Sequence, residues 1–442
     1  MQIISASKQQ FILKNGLVFW DDSTFLTGDL WIQDGKIVGF FPQENTTGKE
    51  HIFAGYEIQE NQALDSKNSQ QMTEMKNSQI HGDQIPGRKD FPILDATGCL
   101  VIPGLIDTHF HGCNGYDFSD GTIAAIQGIC EYELSQGITS VCPATMTLPE
   151  NELLAICQTA AHYTHLTAEN PVPRSDFIGF YMEGPFFSKE KAGAQRLDCL
   201  QNPNMDFFNR MMQSSEGLLK IWALAPELPG AAKLIQTICQ SGNAVLKNPK
   251  IRSDWKPPVF SLGHTMSDGN AAALALESGA RRLTHLYNAM ENPMEIIDAA
   301  LKYPKCYAEL ICDGIHNNKQ RIQYAFDAFG EDHIILISDS MRATGLEDGR
   351  YTLGGQEVSV AGKTAVLANG KKAGSVSTLY DCLRCALTFG IPLKAALKAC
   401  TCNPAKSLGL NHKIGSIRIG MQADLLIVDK ELNIEKLMKT MF

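Results

Sequence analysis

The sequence contains no run of about eighteen apolar residues, so it offers no helix able to span a bilayer. Positive charge is in deficit too. Its 39 lysines and arginines face 48 aspartates and glutamates, a net charge of -9, and no basic stripe offsets the imbalance. That excludes a polyanion-binding face, and with it nucleic acid as a partner. The opening MQIISASKQQFILKNG lacks a charged leader, a long apolar core and a small-residue cleavage site, which sets the expectation of a cytoplasmic protein. A disulfide framework is also missing. The 13 cysteines are odd in number and lie in apolar contexts such as SVCPATM and AELICDG, where reduced, buried thiols belong. Cys382 with Cys385 and Cys400 with Cys402 are close pairs, but neither has a second pair at zinc-ribbon spacing.

What is present is a chain of 442 residues, 44% hydrophobic and 20% charged, the balance of a globular protein with a large core. From Phe11 to Phe40 apolar and polar positions alternate and are broken by Asn-Gly and Asp-Gly pairs, so this stretch reads as hairpins of a small β unit. Between residues 43 and 92 the text turns to Gln, Asn, Ser and Lys with few large apolar side chains. It reads as a flexible insertion without catalytic content.

Eight strand-like runs follow: LVIPGLIDTHFHG, TSVCPATM, FIGFYMEGP, KIWALAPE, PVFSLGHT, RLTHLYNA, AELICDGIH and IILISDS. Helix-like segments such as TIAAIQGICEYELSQG and NELLAICQTAAHYTH separate most of them. Eight alternations imply an α/β fold, a (β/α)8 TIM barrel over residues 100–403. The tail GSIRIGMQADLLIVDKELNI alternates like strands again, so residues 1–99 and 404–442 are expected to build one small β-sandwich domain from both chain ends.

In such a barrel the chemistry sits at the C-terminal ends of the strands. Those ends carry His109 and His111 on the first run, Glu183 on the third, His264 on the fifth, His285 on the sixth, Asp313 and His316 on the seventh and Asp339 on the eighth. Five of only 11 histidines fall there, which surface placement would not produce. His109 and His111 are two apart, so on a strand both project to one side. Imidazoles with carboxylates imply a metal site suited to zinc, iron, manganese or cobalt, with zinc the first choice. A divalent ion with an open position lowers the pKa of bound water to about 7, so hydrolysis is the implied reaction class. Asp339 could move the water's proton to a leaving amine, and could equally cap a following helix. His316 could polarise a carbonyl oxygen or sit bonded to backbone in the core.

The segments KNGLVF, DLWIQDGKIVGF, VIPGLIDTHFHG, MEGPFFSKEKAGAQ, SLGHTMSD, THLYNAM, CDGIHNN, SDSMRATGLEDGRYTLGG, AGSVSTLYDCLR and NPAKSLGL resemble the amidohydrolase superfamily, in its branch of amino-sugar phosphate deacetylases. The likeness covers nearly the whole chain apart from the insertion. It implies that Glu183, His264 and His285 hold the principal metal, and that His109 and His111 complete a second site with Glu183 bridging and Asp339 adjoining. One or two ions are therefore expected. It also implies Asp339 as proton acceptor and donor, and His316 on the substrate's carbonyl or sugar. Ala194, Gln195, Asn288, Ala289, Ala373 and Gly374 are the implied substrate contacts. The implied reaction removes acetate from the 2-acetamido group of an amino-sugar phosphate, in a homodimer. In the family, an arginine in the loop after THLYNAM reaches the phosphate bound by the neighbouring subunit. Here that loop reads ENPMEIIDAALKYP, with Glu291, Glu295 and Asp298 and no arginine. Either Arg342 or Arg196 then takes the phosphate, or the substrate is a different, unphosphorylated N-acyl sugar.

Overall fold

The run LVIPGLIDTHFHG is two strands rather than one. Leu100–Pro103 pairs antiparallel with Leu425–Val428, whereas Leu105–Asp107 pairs in parallel with Ile138–Val141. The joint at Gly104 separates two units, Leu105–Leu408 and a second made of Met1–Gly104 with Gly409–Phe442. The computed structural model describes residues 1–7, 9–43, 49–53, 55–60, 91–169, 172–241 and 256–441.

Within Leu105–Leu408 eight parallel strands follow one another. They are β1 (Leu105–Asp107), β2 (Ile138–Val141, resumed at Ala144–Thr145), β3 (Phe180–Glu183), β4 (Leu219–Leu224), β5 (Val259–Leu262), β6 (Arg282–Leu283), β7 (Tyr307–Ile311) and β8 (Ile334–Ile337). Each pairs in parallel with the next. Past the strand ends Asp339 N–H donates to the His109 carbonyl at 3.0 Å and His111 N–H to the Ser340 carbonyl at 2.7 Å, which joins the last strand to the first and closes the ring. The strands are buried almost throughout, because sheets covered on both faces are near-continuous apolar runs.

Helices return the chain between strands: α1 (Ile123–Ser135), α2 (Glu150–Glu169), α3 (Met205–Ser214), α4 (Ala231–Ser241), α5 (Gly269–Ser278), α6 (Pro293–Ala300), α7 (Lys319–Phe329) and, after β8, α8 (Leu379–Thr388). Their starts are written in the sequence. Asn204, Asp268 and Asn318 each accept a backbone N–H from the third residue on, and Thr378 forms a capping box with Asp381, contacts worth about 1 kcal/mol each. Asp339 caps no helix. Between it and α8 lies a three-stranded antiparallel sheet, β9 (Gly349–Leu353), β10 (Gln356–Ala361) and β11 (Thr364–Leu367). The core between β3, β4 and α3 centres on Trp222, which stacks on Phe186 at 5.4 Å and on Phe208 at 5.2 Å.

The second unit carries one eight-stranded sheet, in the order Gln2–Ser5, Ile434–Lys439, Leu425–Val428, Leu100–Pro103, Gln10–Trp20, Thr24–Gln33 and Lys36–Pro42, with Ile93–Asp95 also on Gln10–Trp20. Leu13, Leu30, Ile32, Val101, Leu425 and Ile427 are among the fully buried residues of its apolar cluster. The two Asx-Gly signals differ in outcome. Asp34-Gly35 turns the chain, with both φ angles positive, but Asn15-Gly16 lies inside a strand as a bulge, its Asn15 N–H given to Asp29 Oδ1 at 3.1 Å. Of the polar stretch 43–92, Glu50–Phe53 and Tyr56–Gln59 form a hairpin whose Phe53 and Ile58 are buried. The rest of the expected insertion, 44–48, 54 and 61–90, lies outside the described residues. Among the described residues no helix is long and apolar enough to cross a membrane, and all 13 thiols are free.

Candidate metal centre

His109, His264, His285, Asp313 and Asp339 each stand two residues past the end of their strand, and Glu183 is the last residue of β3. Three of them pay conformationally for the position: His264, His285 and Asp339 have φ of 47°, 29° and 48°. Such left-handed non-glycine backbone costs on the order of 1–3 kcal/mol and gathers at functional sites.

The six candidate ligands form two buried groups, Glu183 with His264 and His285, and His109 with His111 and Asp339. Nε2 of His264 and Nε2 of His285 are each 3.2 Å from Glu183 Oε1, and 3.1 Å from one another. Ligands about 2.0–2.1 Å from a tetrahedral ion are about 3.3 Å apart, so this triangle has the edge length of a metal site. Around the other group, Nε2 of His111 lies 3.4 Å from Asp339 Oδ1 and Nε2 of His109 lies 3.9 Å from it. Glu183 joins the two groups: its Oε1 is 3.4 Å from His109 and its Oε2 is 3.3 Å from His111. His109 Nε2 and Asp339 Oδ1 are buried without a hydrogen-bond partner, the condition expected of atoms meant for a cation.

Electrostatics favour the same reading. Burial opposes charge on Glu183, yet the four surrounding imidazoles hold its carboxyl well below the usual range. Asp339 is lowered as well, where the close approach of His111 and the fields of His109, His111 and His285 overcome burial. His111, which burial would keep neutral, is pushed up to about 10 by Asp339 and Glu183. Two ionised carboxylates among four imidazoles attract positive charge, and a divalent ion would replace the protons the histidines carry.

A supporting layer fixes the ligands. His109 Nδ1–H donates to Glu309 Oε2 at 2.7 Å, and His264 Nδ1–H to the Lys191 carbonyl at 2.8 Å, which leaves each Nε2 lone pair for a metal. Glu309, on β7, also accepts the His285 backbone N–H at 3.0 Å and the guanidinium of fully buried Arg282 at 2.6 Å; Arg282 reaches on to Thr108 and to Ser407. Neither Glu309 nor Arg282 was expected from the strand ends. Gln195 has a role other than the expected substrate contact alone: its amide N–H donates to Glu183 Oε2 at 2.7 Å while its oxygen accepts Thr147 N–H at 2.6 Å.

A cavity of about 320 Å³ opens on the six ligand positions, five of which line it. Ala194, Gln195, Asn288, Ala289, His316 and Gly374 line it too; Ala373 is buried and does not. His316 is not a core histidine bonded to backbone. Its Nδ1–H donates to Asp313 Oδ2 at 2.7 Å, and the backbone N–H groups of Ile315 and His316 hold Asp313 Oδ1. Arg342 and Arg196 do not line the cavity: Arg342 pairs with Asp120 and Arg196 with Asp198. The loop acids Glu291, Glu295 and Asp298 are also absent from its wall, Glu291 being engaged by Lys191.

A family model described as the amidohydrolase family matches residues 100–442. The chain is 33% identical over 341 residues to the N-acetylglucosamine-6-phosphate deacetylase of Bacillus subtilis, covering 76% of this chain and 82% of that protein. It is 30% identical over 369 residues to the enzyme of the same name from Vibrio furnissii, covering 82% and 85%. The fold is shared with the crystal structure of N-acetylglucosamine-6-phosphate deacetylase from Pasteurella multocida, at a TM-score of 0.75, 23% identity and coverage of 96% and 97%. The chain therefore belongs to the amidohydrolase family, among the N-acetylglucosamine-6-phosphate deacetylases.

Proposed function

We propose that the protein hydrolyses the 2-acetamido group of N-acetylglucosamine-6-phosphate to glucosamine-6-phosphate and acetate, with a divalent metal, zinc first, as cofactor. The observation that carries this is Glu183, shared between two groups of histidines at the wall of a cavity that Asp339 and His316 also face. Glu183, His264 and His285 would hold one ion, and His109, His111 and Asp339 suit a second. When bound, such an ion supplies Lewis acidity that makes a water acidic near pH 7 and polarises a carbonyl.

The chain's own residues do the rest. Asp339, held ionised by the histidines around it, takes the proton of the attacking water and delivers it to the leaving amine. His316, oriented by its Nδ1–H bond to Asp313, faces the cavity where the acetamido oxygen would lie and stabilises the charge that develops there. Gln195 keeps Glu183 in place. A homodimer in the cytoplasm completes the reading on the strength of the family resemblance. The lack of arginine from Glu291 to Leu301 favours one alternative, an unphosphorylated N-acyl amino sugar as substrate.

Acetate release from N-acetylglucosamine-6-phosphate and from N-acetylglucosamine, compared on zinc-loaded and chelator-stripped protein, tests both readings. Metal-dependent release from the phosphosugar, lowered 100-fold or more by Asp339→Asn, is the expected result. Release from the free sugar alone would select the alternative, and release from neither would refute both.

A further inference from the structure

A phosphate dianion needs fixed positive charge, and the cavity offers it from a segment outside the βα-loop that family likeness points to. We propose that Lys371 and Lys372 hold the phosphate of the amino-sugar substrate and set the preference for phosphorylated over free sugar. The assignment rests on the deacetylase reading above.

The cavity wall carries three cationic side chains besides its histidines, Lys191, Lys371 and Lys372, and no arginine. Lys191 is already engaged by Glu291. Arg342 is spent on Asp120 at 2.7 Å and on the Thr352 carbonyl at 2.9 Å, and Arg196 on Asp198 at 2.6 Å. Among the described residues no carboxylate pairs with Lys371 or Lys372. Glu190 is the one acid of the wall outside the metal centre, and Ser188 Oγ–H donates to it at 2.8 Å. Leaving the metal centre aside, two unpaired ammonium groups exceed one carboxylate, so the wall attracts an anion.

The backbone that presents the two lysines is pinned. After the Asn369-Gly370 turn, the Lys371 carbonyl accepts Leu367 N–H at 2.8 Å, and Ala373 N–H donates to the Ala365 carbonyl of β11 at 3.1 Å. Lys372 Nζ donates one proton to the Ile315 carbonyl, next to His316, which leaves two for an anion. Two residues on, the chain passes through Gly374, and Ser375 N–H donates to the Asp339 carbonyl at 2.7 Å. One short segment thus spans from the proton-transfer carboxylate to the proposed phosphate cations. A substrate held at its 6-phosphate by this segment is oriented toward Asp339 and His316 by the same stretch of backbone.

The test measures kcat/KM for acetate release from N-acetylglucosamine-6-phosphate and from N-acetylglucosamine on the zinc-loaded full-length protein, in wild type, Lys371→Ala, Lys372→Ala and the double variant. The ratio of the two is expected to fall about tenfold in each single variant and about 100-fold in the double, through KM rather than kcat. Lys372→Arg should recover most of the loss, and Arg342→Ala and Arg196→Ala should keep the wild-type ratio. Among the described residues the Lys371 side chain has no hydrogen-bond partner, so Lys371→Ala stays readable if Lys372→Ala misfolds. Calorimetric titration of metal-free protein with inorganic phosphate gives a readout independent of turnover, with binding weakened about tenfold or more in the double variant. A double variant that keeps the wild-type ratio overturns the assignment and leaves the deacetylase reading standing, as does a wild type indifferent to the phosphate. A wild type that releases acetate from neither sugar overturns the reading, and the assignment with it.

Discussion

Glu309 and His109 are 200 residues apart in the chain and 2.7 Å apart in the barrel, where the carboxylate accepts the Nδ1 proton of the ring. That bond selects the His109 tautomer whose Nε2 lone pair faces Glu183. Burial opposes charge on Glu309, but Arg282 and His109 hold its carboxyl below the ordinary range.

Glu309→Gln keeps the shape and removes the charge, so His109 loses its orienting acceptor and Arg282 loses its counter-ion. Metal affinity is expected to drop about 10–100-fold, read by competition with a chelator. Stability should fall as well, by about 3–5 kcal/mol in urea unfolding of the metal-free protein, because a buried guanidinium is left unpaired. Unchanged metal affinity would assign Glu309 to folding alone.

Asp313→Asn tests the partner of His316. Burial opposes charge on Asp313, yet His316 and the two backbone N–H groups hold its carboxyl below the ordinary range. An amide in its place still accepts the backbone bonds but no longer offers His316 Nδ1–H a charged acceptor. The expected outcome is a kcat about 100-fold lower with metal content unchanged, measured by steady-state kinetics beside metal analysis.

Strand order and the candidate ligand positions were legible because both follow from periodicity and from where a parallel barrel places its loops. His109 and His111, Glu183, His264, His285 and Asp339 are the strand-end candidates, and the structure brings all six together in two adjoining groups. Glu309 and Arg282 were not. Each is a charged residue inside an apolar parallel strand, and that was the available signal, since a charge there must be paired. Besides each other, their partners are His109 and Thr108 just past β1, the His285 backbone and Ser407, which no local pattern reveals. Lys371 and Lys372 belong to no motif that the sequence singles out, and only the path of the backbone beyond β11 brings them to the cavity wall. Asn15-Gly16 was misread as a turn because a bulge and a type I′ turn ask for the same positive φ.

Glu133, buried in α1, has an Oε2 without a partner, and burial together with the nearby Asp107 pushes its carboxyl up to about 8. The folded-state value is above the ordinary 4.5, so the folded chain binds this proton more tightly than the unfolded one. Its stabilisation is complete below about pH 4.5 and is lost as pH rises toward 8, at up to about 1.4 kcal/mol per pH unit. Glu133→Gln cannot ionise and should lose that slope. Urea midpoints at pH 5.5 and pH 8.5 are expected to differ clearly in wild type and much less in the variant; parallel pH profiles would show that Glu133 does not titrate in this window.

Gly374 places a backbone constraint beside Asp339, the proposed general base. Its φ is 67°, and a Cβ built there would stand 3.0 Å from the Asp339 carbonyl oxygen and 3.4 Å from Met341 Cβ. Alanine therefore meets two obstacles, the left-handed backbone and a close carbonyl, and the carbonyl belongs to the residue proposed to move the proton. Asp339 can yield only by changing a backbone that already sits at a φ of 48° and that donates its N–H to the His109 carbonyl. The strain should thus appear in catalysis before it appears in folding. Gly374→Ala is expected to lower kcat about tenfold or more with a urea midpoint close to wild type. The reverse pattern, a lost midpoint with kcat retained in the folded fraction, would place the role of Gly374 in the turn and not in the alignment of Asp339.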